Sequence, residues 1–311
     1  MNKKVKSLIN IVFSALLISL IVYMAGIGKI KEQFSHMLVS FFLLAIIVEN
    51  AGVAISAKKW HIFLKVKGMN ISFLTAWKYY YIGTFFNAFL PTSIGGDAVK
   101  AYSLSKELEK REEAFSSVIM DRLTGLIAVL GIGSLALLVG WNLIPFSAFM
   151  LCLPVFVFPI LFIILLFKTN LIGAILRKPI FLKFTSLQNF IEKVYASLKE
   201  YASYKESILL TLFISVCYHL LLIINNYILS LSLGLEIPIH FFFIFIPVAE
   251  ILVFLPVTIQ GFGVREGTYV ALFSSMVTDA QAFALGFSDQ LIKVIGSIIG
   301  GIVYMFSGMK N

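Results

Sequence analysis

Long apolar runs separated by short polar segments dominate the chain. Six of these runs reach the roughly 20 residues that a helix needs to cross the hydrocarbon core of a bilayer. They cover residues 7–27, 37–57, 114–139, 145–167, 207–234 and 280–306. Two further apolar stretches, 71–90 and 237–255, differ because each runs directly into a segment rich in proline and glycine. The pattern predicts an all-α polytopic membrane protein in which these two stretches break and turn back.

The two breaks resemble each other. LPTSIGGDAVK at 90–100 aligns without gaps with LPVTIQGFGVR at 255–265, sharing Leu, Pro, Ile, Gly and Val in place. Three predicted spans lie between them, so the second copy is inverted relative to the first. Inverted repeats with broken helices near mid-membrane are typical of transporters. We therefore expect two re-entrant hairpins, the first entering from the cytoplasm and the second from outside.

The composition agrees with a membrane protein. Apolar residues make up 59% and charged residues 13%, whereas soluble domains carry about 25% charged residues. This excludes a large soluble catalytic domain. The two cysteines and four histidines show no disulfide or metal spacing, so we predict no metal, no cofactor and no catalytic residues. Because no nucleotide-binding GxxxxGK[ST] motif is present, we expect passive or ion-coupled transport.

The positive charges set the orientation. Eighteen of the 25 basic residues fall in segments that one arrangement places in the cytoplasm, and only Lys29 and Lys31 fall in an outside loop. This positive-inside bias predicts six spans with both termini cytoplasmic in a plasma-membrane protein. It also explains the net charge of +9 without nucleic acid.

We interpret 1–311 as one domain, with a first break region at 71–108 and a second at 237–275. A basic loop at 168–206 is interpreted as an amphipathic helix on an anionic leaflet, with a partner-binding loop as the alternative.

Each break has features of an anion site. Glycines permit close approach of the backbone, a hydroxyl residue (Ser93 or Thr258) is placed to cap the next half-helix, and a cation follows. Helix-start N–H groups beside a cation favour anions, and a lipid phosphate is the obvious anion in a membrane. The alternative is a pair of structural kinks. Acids and bases within apolar segments should pair or face a cavity, and Asp289 and Lys293 have helical ion-pair spacing.

Three motifs resemble the lysylphosphatidylglycerol synthase transmembrane (flippase-domain) family. They are LPTSIGGDAVKAY at 90–102, DRLTGL at 121–126 and LPVTIQGFGVREGTYV at 255–270. The resemblance marks nine residues: Gly95, Gly96, Asp97, Asp121, Arg122, Gly261, Gly263, Arg265 and Glu266. It implies a standalone membrane member without the soluble aminoacyl-transferase domain of the bifunctional proteins.

These observations favour a lipid translocase that handles aminoacylated phosphatidylglycerol, another phospholipid or a polyprenyl-phosphate-linked lipid. The predicted head-group site adds Lys100 and Glu250 to the nine residues above. The alternatives are a membrane enzyme or subunit for aminoacyl- or glycosyl-lipid transfer, and a scaffold that recruits a synthase. Expected partners are the lipid itself, a separate synthase or transferase, and a second copy of the chain in a homo-oligomer.

Overall fold

The computed structural model describes residues 26–90, 95–168, 185–253 and 260–306, together with residues 19, 23 and 258. Regular structure in these ranges is helical, with no strand, which confirms the predicted all-α class. The helices are α1 (Ile27–Ser35), α2 (Val39–Val66), α3 (Phe73–Phe89), α4 (Gly95–Leu108), α5 (Arg111–Val139), α6 (Phe146–Lys168), α7 (Thr185–Glu200), α8 (Lys205–Ser232), α9 (Ile239–Val253), α10 (Val264–Phe273) and α11 (Asp279–Phe306). A short 3₁₀ turn, Tyr201–Ser203, joins α7 to α8.

Four helices, α2, α5, α8 and α11, are long and apolar enough to cross a membrane. They correspond to four of the six predicted spans. Helix α6 covers the fifth and contains Pro154 and Pro159. The sixth predicted span, 7–27, lies mostly outside the described residues.

The helices on either side of each predicted break form an antiparallel pair. In the first pair, α3 and α4, the Tyr79 hydroxyl donates to Glu107 near the base, and the Gly96 N–H donates to Asn87 Oδ1 at 2.7 Å near the tip. In the second pair, α9 and α10, the rings of Phe242 and Phe273 lie 5.4 Å apart at the base. The break segments themselves, 91–94 and 254–257, which include Pro91, Ser93 and Pro256, are outside the described residues.

The two helix pairs enter the bundle from opposite ends. Helices α2 and α8 are antiparallel, because the start of α2 meets the end of α8 through a Leu38 N–H to Ser232 carbonyl bond of 2.7 Å. The base of the first pair lies at the end of α2, where His61 Nε2 is 2.8 Å from the Ile71 carbonyl. The base of the second pair lies at the end of α8, where the rings of Tyr227 and Phe242 are 5.7 Å apart. Their tips therefore face each other inside the bundle.

Two glycines permit the close approaches that hold the first pair in place. A Cβ on Gly96 would lie 1.9 Å from the Gly83 carbonyl, so only glycine lets α4 lie this close to α3. A Cβ on Gly300 would lie 1.9 Å from the Tyr81 carbonyl, so α11 meets the other side of α3 backbone to backbone. Helix α3 is thus packed tightly between α4 and α11.

The described part of the basic loop packs on the protein. Helix α7 contacts the start of α5, where the rings of Phe115 and Phe190 lie 5.4 Å apart and the hydroxyls of Ser116 and Ser197 lie 2.9 Å apart. Lys67, at the end of α2, forms a 2.6 Å ion pair with Glu200. These contacts attach α7 to the end of the bundle from which the first helix pair enters.

Candidate functional site

A polar cavity lies where the tips of the two helix pairs meet. It consists of two adjoining lobes of about 260 and 210 Å³. The wall that both lobes share is formed by Ser56, Tyr80, Thr84, Asn87, Tyr218, Glu250 and Val253. Asn87 belongs to the first helix pair and Val253 to the second, so both halves of the chain build one site.

Three cations and three carboxylates line the first lobe, and one of the carboxylates, Glu250, also lines the second lobe. Lys100 Nζ lies 3.3 Å from Asp97 and 3.5 Å from Asp121. Lys59 Nζ lies 3.0 Å from the Asp121 carboxylate and donates to the Asp121 backbone carbonyl at 2.8 Å. Arg122 Nε donates to Asp97. These five side chains, when ionised, carry one surplus positive charge, because Glu250 pairs with Arg265 and Lys293 instead.

Aromatic rings stabilise Lys100 as well. Its ammonium lies 4.1 Å from the centroid of the Tyr80 ring and 4.6 Å from that of Trp60, and the residue is 1% exposed. Ring faces attract a cation most strongly where water is excluded. Arg122, in contrast, keeps 27% of its side chain exposed. It is therefore the cation of this lobe that a ligand reaches most easily.

The second lobe contains two cations bridged by two carboxylates. Arg265 donates to Asp289, to Glu250 at 2.6 Å and to the Gln290 side-chain oxygen at 3.1 Å. Lys293 Nζ lies 3.1 Å from Glu250 and 3.0 Å from Asp289. Asp289 is fully buried and also accepts a hydrogen bond from Tyr269. Each charge contacts both charges of opposite sign, so the four groups form a closed, neutral cluster.

The matching cations of the repeat occupy matching surroundings. Lys100 and Arg265 align in sequence, and each lies between one carboxylate near a helix-pair tip and one on the long helix that follows. Those carboxylates are Asp97 and Asp121 for Lys100, and Glu250 and Asp289 for Arg265. Buried charges require such compensation, and each copy of the repeat supplies two carboxylates, although Asp97 follows its break and Glu250 precedes its own.

The other predicted site residues have local structural contacts. Gly96 lies against Gly83, and a Cβ on Gly261, whose φ is +84°, would lie 2.7 Å from Val253. Gly263, with φ +83°, precedes α10, and its N–H donates to the buried Glu266 carboxylate at 2.7 Å. Glu266 is therefore the cap of this helix, and the expectation that Thr258 caps it is wrong. Helix α10 begins six residues after Thr258, whose hydroxyl is buried without a hydrogen-bond partner.

Several charged residues of the cavity lie outside the predicted site. Lys59 was assigned to a cytoplasmic flank because Lys58 precedes it, yet it is 5% exposed and contacts Asp121. Glu49 and Lys293 line the second lobe, and Asp289 contacts Lys293 there. The signal that could have identified them is the cost of an unpaired charge inside an apolar run. Among the described residues, no group of His, Cys, Asp or Glu is arranged to hold a metal ion.

Comparison with known proteins agrees with the motifs. The chain is 27% identical to the UPF0104 membrane protein PH1989 of Pyrococcus horikoshii over 328 aligned positions, which cover 96% of this chain and 97% of that protein. Residues 7–301 match the family model described as the lysylphosphatidylglycerol synthase TM region. A match over this much of the sequence identifies the chain as a member of the lysylphosphatidylglycerol synthase transmembrane-region family.

Proposed function

We propose that this protein is a lipid translocase whose cavity carries the head group of a phospholipid or polyprenyl-phosphate-linked lipid between leaflets. The observation that carries the proposal is the charged cavity between the two helix-pair tips. Ionised side chains within apolar helices are costly and mark substrate pathways. Here nine of them line two adjoining lobes, and large apolar residues such as Leu135, Phe158 and Phe213 face outward.

The surplus positive charge of the five paired side chains in the first lobe suits a phosphodiester. Lys59 and Lys100 are fixed by Asp121, whereas the guanidinium of Arg122 has the exposure to meet a phosphate. A guanidinium contacts phosphate oxygens through two parallel hydrogen bonds. We therefore assign phosphate binding first to Arg122, supported by Lys100. The role that we assign to Arg265 is to hold the carboxylates of the second lobe in position.

Alternating access follows from the opposed helix pairs. We propose that both pairs are re-entrant hairpins within six spans, with both termini in the cytoplasm, in the plasma membrane. Each pair then closes the cavity toward one side, and a small tilt of one pair against α2 and α8 opens it. This is how inverted repeats with broken helices move a substrate past a fixed central site. The apolar tails of the lipid would stay in the bilayer during the transfer.

The test is transfer of a labelled lipid in vesicles that contain no aminoacyl or glycosyl donor. The purified protein is reconstituted with fluorescent phosphatidylglycerol, and an impermeant quencher reports which leaflet holds the label. We expect the wild type to equilibrate the label and Arg122→Gln to slow it about tenfold or more, as for loss of a charged hydrogen-bond pair. Arg111→Gln is the control, because Arg111 is exposed and stacks on Phe190. Lipid chemistry that requires a donor, without movement in its absence, would identify a transferase instead.

A further inference from the structure

We propose that Glu49 binds a proton that accompanies each anionic lipid phosphate, so that the protein transports lipid and proton together. The inference rests on the proposed translocase function and adds the ion that is coupled to it. It concerns a carboxylate on α2 that lines the second lobe and has no role in the site described so far.

The cations near Glu49 are already neutralised. Arg265 and Lys293 each contact both Glu250 and Asp289, at distances of up to 3.1 Å. Glu49 interacts electrostatically with all four groups, but within the described residues no ion pair joins it to either cation. If it is ionised, Glu49 is therefore a fifth charge beside a closed neutral cluster of four.

Within the part of the chain that the structure describes, no other element supplies a compensating cation. Around Glu49, α3 contributes Tyr81, whose hydroxyl donates to Asn50, and α8 contributes Tyr218. Helix α9 contributes Glu250, α10 contributes Arg265, and α11 contributes Asp289 and Lys293. When a bound phosphate adds a negative charge to the cavity, a proton is therefore the most direct means of neutralising this carboxylate.

The charge balance of the whole cavity links that proton to the lipid. Five cations, Lys59, Lys100, Arg122, Arg265 and Lys293, face five carboxylates, Glu49, Asp97, Asp121, Glu250 and Asp289. These ten groups together are therefore neutral when every one is ionised. A phosphodiester in the first lobe adds one negative charge, and one proton on Glu49 restores neutrality.

The coupled step conserves charge. On the loading side, a proton from water forms an O–H bond with the Glu49 carboxylate as the phosphate contacts Arg122. On the release side, the phosphate leaves and the same O–H bond breaks, which returns the proton to water. One proton moves with one phosphate, so the loaded cavity turns toward either side without moving net charge.

The direct test is proton uptake upon lipid binding. Short-chain phosphatidylglycerol is added to the purified protein in weakly buffered detergent with a pH-indicator dye, while binding is measured in parallel. Scanned across pH, the maximum uptake should approach about one proton per bound lipid, as linkage requires for a single site. Glu49→Gln, which resembles the protonated side chain, should bind lipid without taking up a proton, and Glu49→Asp should restore uptake. Glu236→Gln, which removes an exposed carboxylate outside the cavity, should behave as the wild type.

The outcomes separate the inference from the proposed function. Lipid binding by the wild type without proton uptake, or undiminished uptake by Glu49→Gln, would overturn the role of Glu49 and leave the translocase standing. Loss of uptake in His219→Gln with uptake intact in Glu49→Gln would assign the proton to His219, which also lines the first lobe, and would overturn the inference. Absence of both lipid binding and lipid movement would overturn both proposals.

Discussion

At the scale of single residues, Lys100 and Arg265 show how two matched cations are stabilised by different means. Lys100 is a compact ammonium held against two ring faces, whereas Arg265 uses a planar fork that reaches three acceptors. The ammonium of lysine cannot contact acceptors spread as widely as those around Arg265. The two positions are therefore equivalent in the repeat but not exchangeable in chemistry.

Arg265→Lys should fold and yet transport lipid poorly. The substitution keeps the charge but releases Gln290 or one of the two carboxylates, which disturbs the cluster that sets the shape of the second lobe. We expect the transfer rate in donor-free vesicles to fall about tenfold, corresponding to a lost charged hydrogen bond of about 1.5–3 kcal/mol. Arg111→Lys, at an exposed position, is the control. Full transport by a stable Arg265→Lys protein would show that only the charge matters there.

Asp289→Ala should be one of the most destabilising single changes in the chain. Asp289 is fully buried and contacts Arg265, Lys293 and Tyr269, so its removal leaves two buried cations sharing Glu250. Breaking a buried ion pair costs about 3–5 kcal/mol. Thermal unfolding in detergent measures the change, with Glu236→Ala as the exposed control. A midpoint equal to that of the wild type would contradict the structural role.

Part of the site could be predicted from single residues and part could not. The repeat identified Lys100 and Arg265, and the four-residue spacing identified the Asp289–Lys293 pair, since these signals are local. Lys59 was missed because its partner Asp121 is 62 positions away and its neighbour Lys58 resembles an ordinary basic flank. Thr258 was misassigned as a cap because glycines at 261 and 263 delay the start of α10 to Val264.

At the scale of helices, close backbone contact fixes the first helix pair. Gly300→Ala should destabilise strongly, because its Cβ would lie 1.9 Å from the Tyr81 carbonyl and would force α11 away from α3. Gly131→Ala is the matched control: it is also inside a long helix, but nothing lies within 4 Å of its Cβ. Alanine there should be neutral or stabilising by up to about 1 kcal/mol. Equal melting shifts for the two variants would contradict the packing described here.

The opposed insertion of the helix pairs predicts a labelling pattern. After Cys152 and Cys217 are replaced by serine, single cysteines are introduced at the exposed positions Asn70, Lys106, Glu236 and Ser274. The first two flank the base of the first pair and should react with an impermeant reagent only from the cytoplasmic side. The last two flank the base of the second pair and should react only from outside. Reaction of all four from one side would exclude the inverted arrangement.

The helices themselves were predictable to different extents. The length of the apolar runs predicted α2, α5, α8 and α11. The proline and glycine motifs predicted the positions of both helix pairs. The pattern ended the second span at residue 57, whereas α2 continues to Val66. The helix continues because Lys59 and Trp60 find buried partners in Asp121 and Ser117, and such long-range contacts are invisible in a local hydropathy pattern.

At the scale of the whole molecule, the two halves of the chain build one cavity that neither builds alone. The cluster of Lys59, Lys100, Arg122, Asp97 and Asp121 carries a surplus positive charge, and the cluster around Arg265 and Lys293 becomes negative when Glu49 is ionised. The cavity as a whole is neutral but polarised, a distribution that attracts a phosphate to one end and a proton to the other. We propose that a lipid head group passes between the two lobes, through the space that their shared residues line.

The most direct test of this path is to fill the space between the two lobes without changing any charge. Thr84 lines both lobes, and its hydroxyl donates to the Tyr81 carbonyl within its own helix, so Thr84→Trp fills the region that the lobes share. Leu74→Trp is the control, because Leu74 lies on the same helix with its side chain 66% exposed. With matched protein amount and thermal stability, Thr84→Trp should abolish movement of labelled phosphatidylglycerol in donor-free vesicles, and Leu74→Trp should preserve it. Undiminished transfer by Thr84→Trp would show that the head group does not use this cavity.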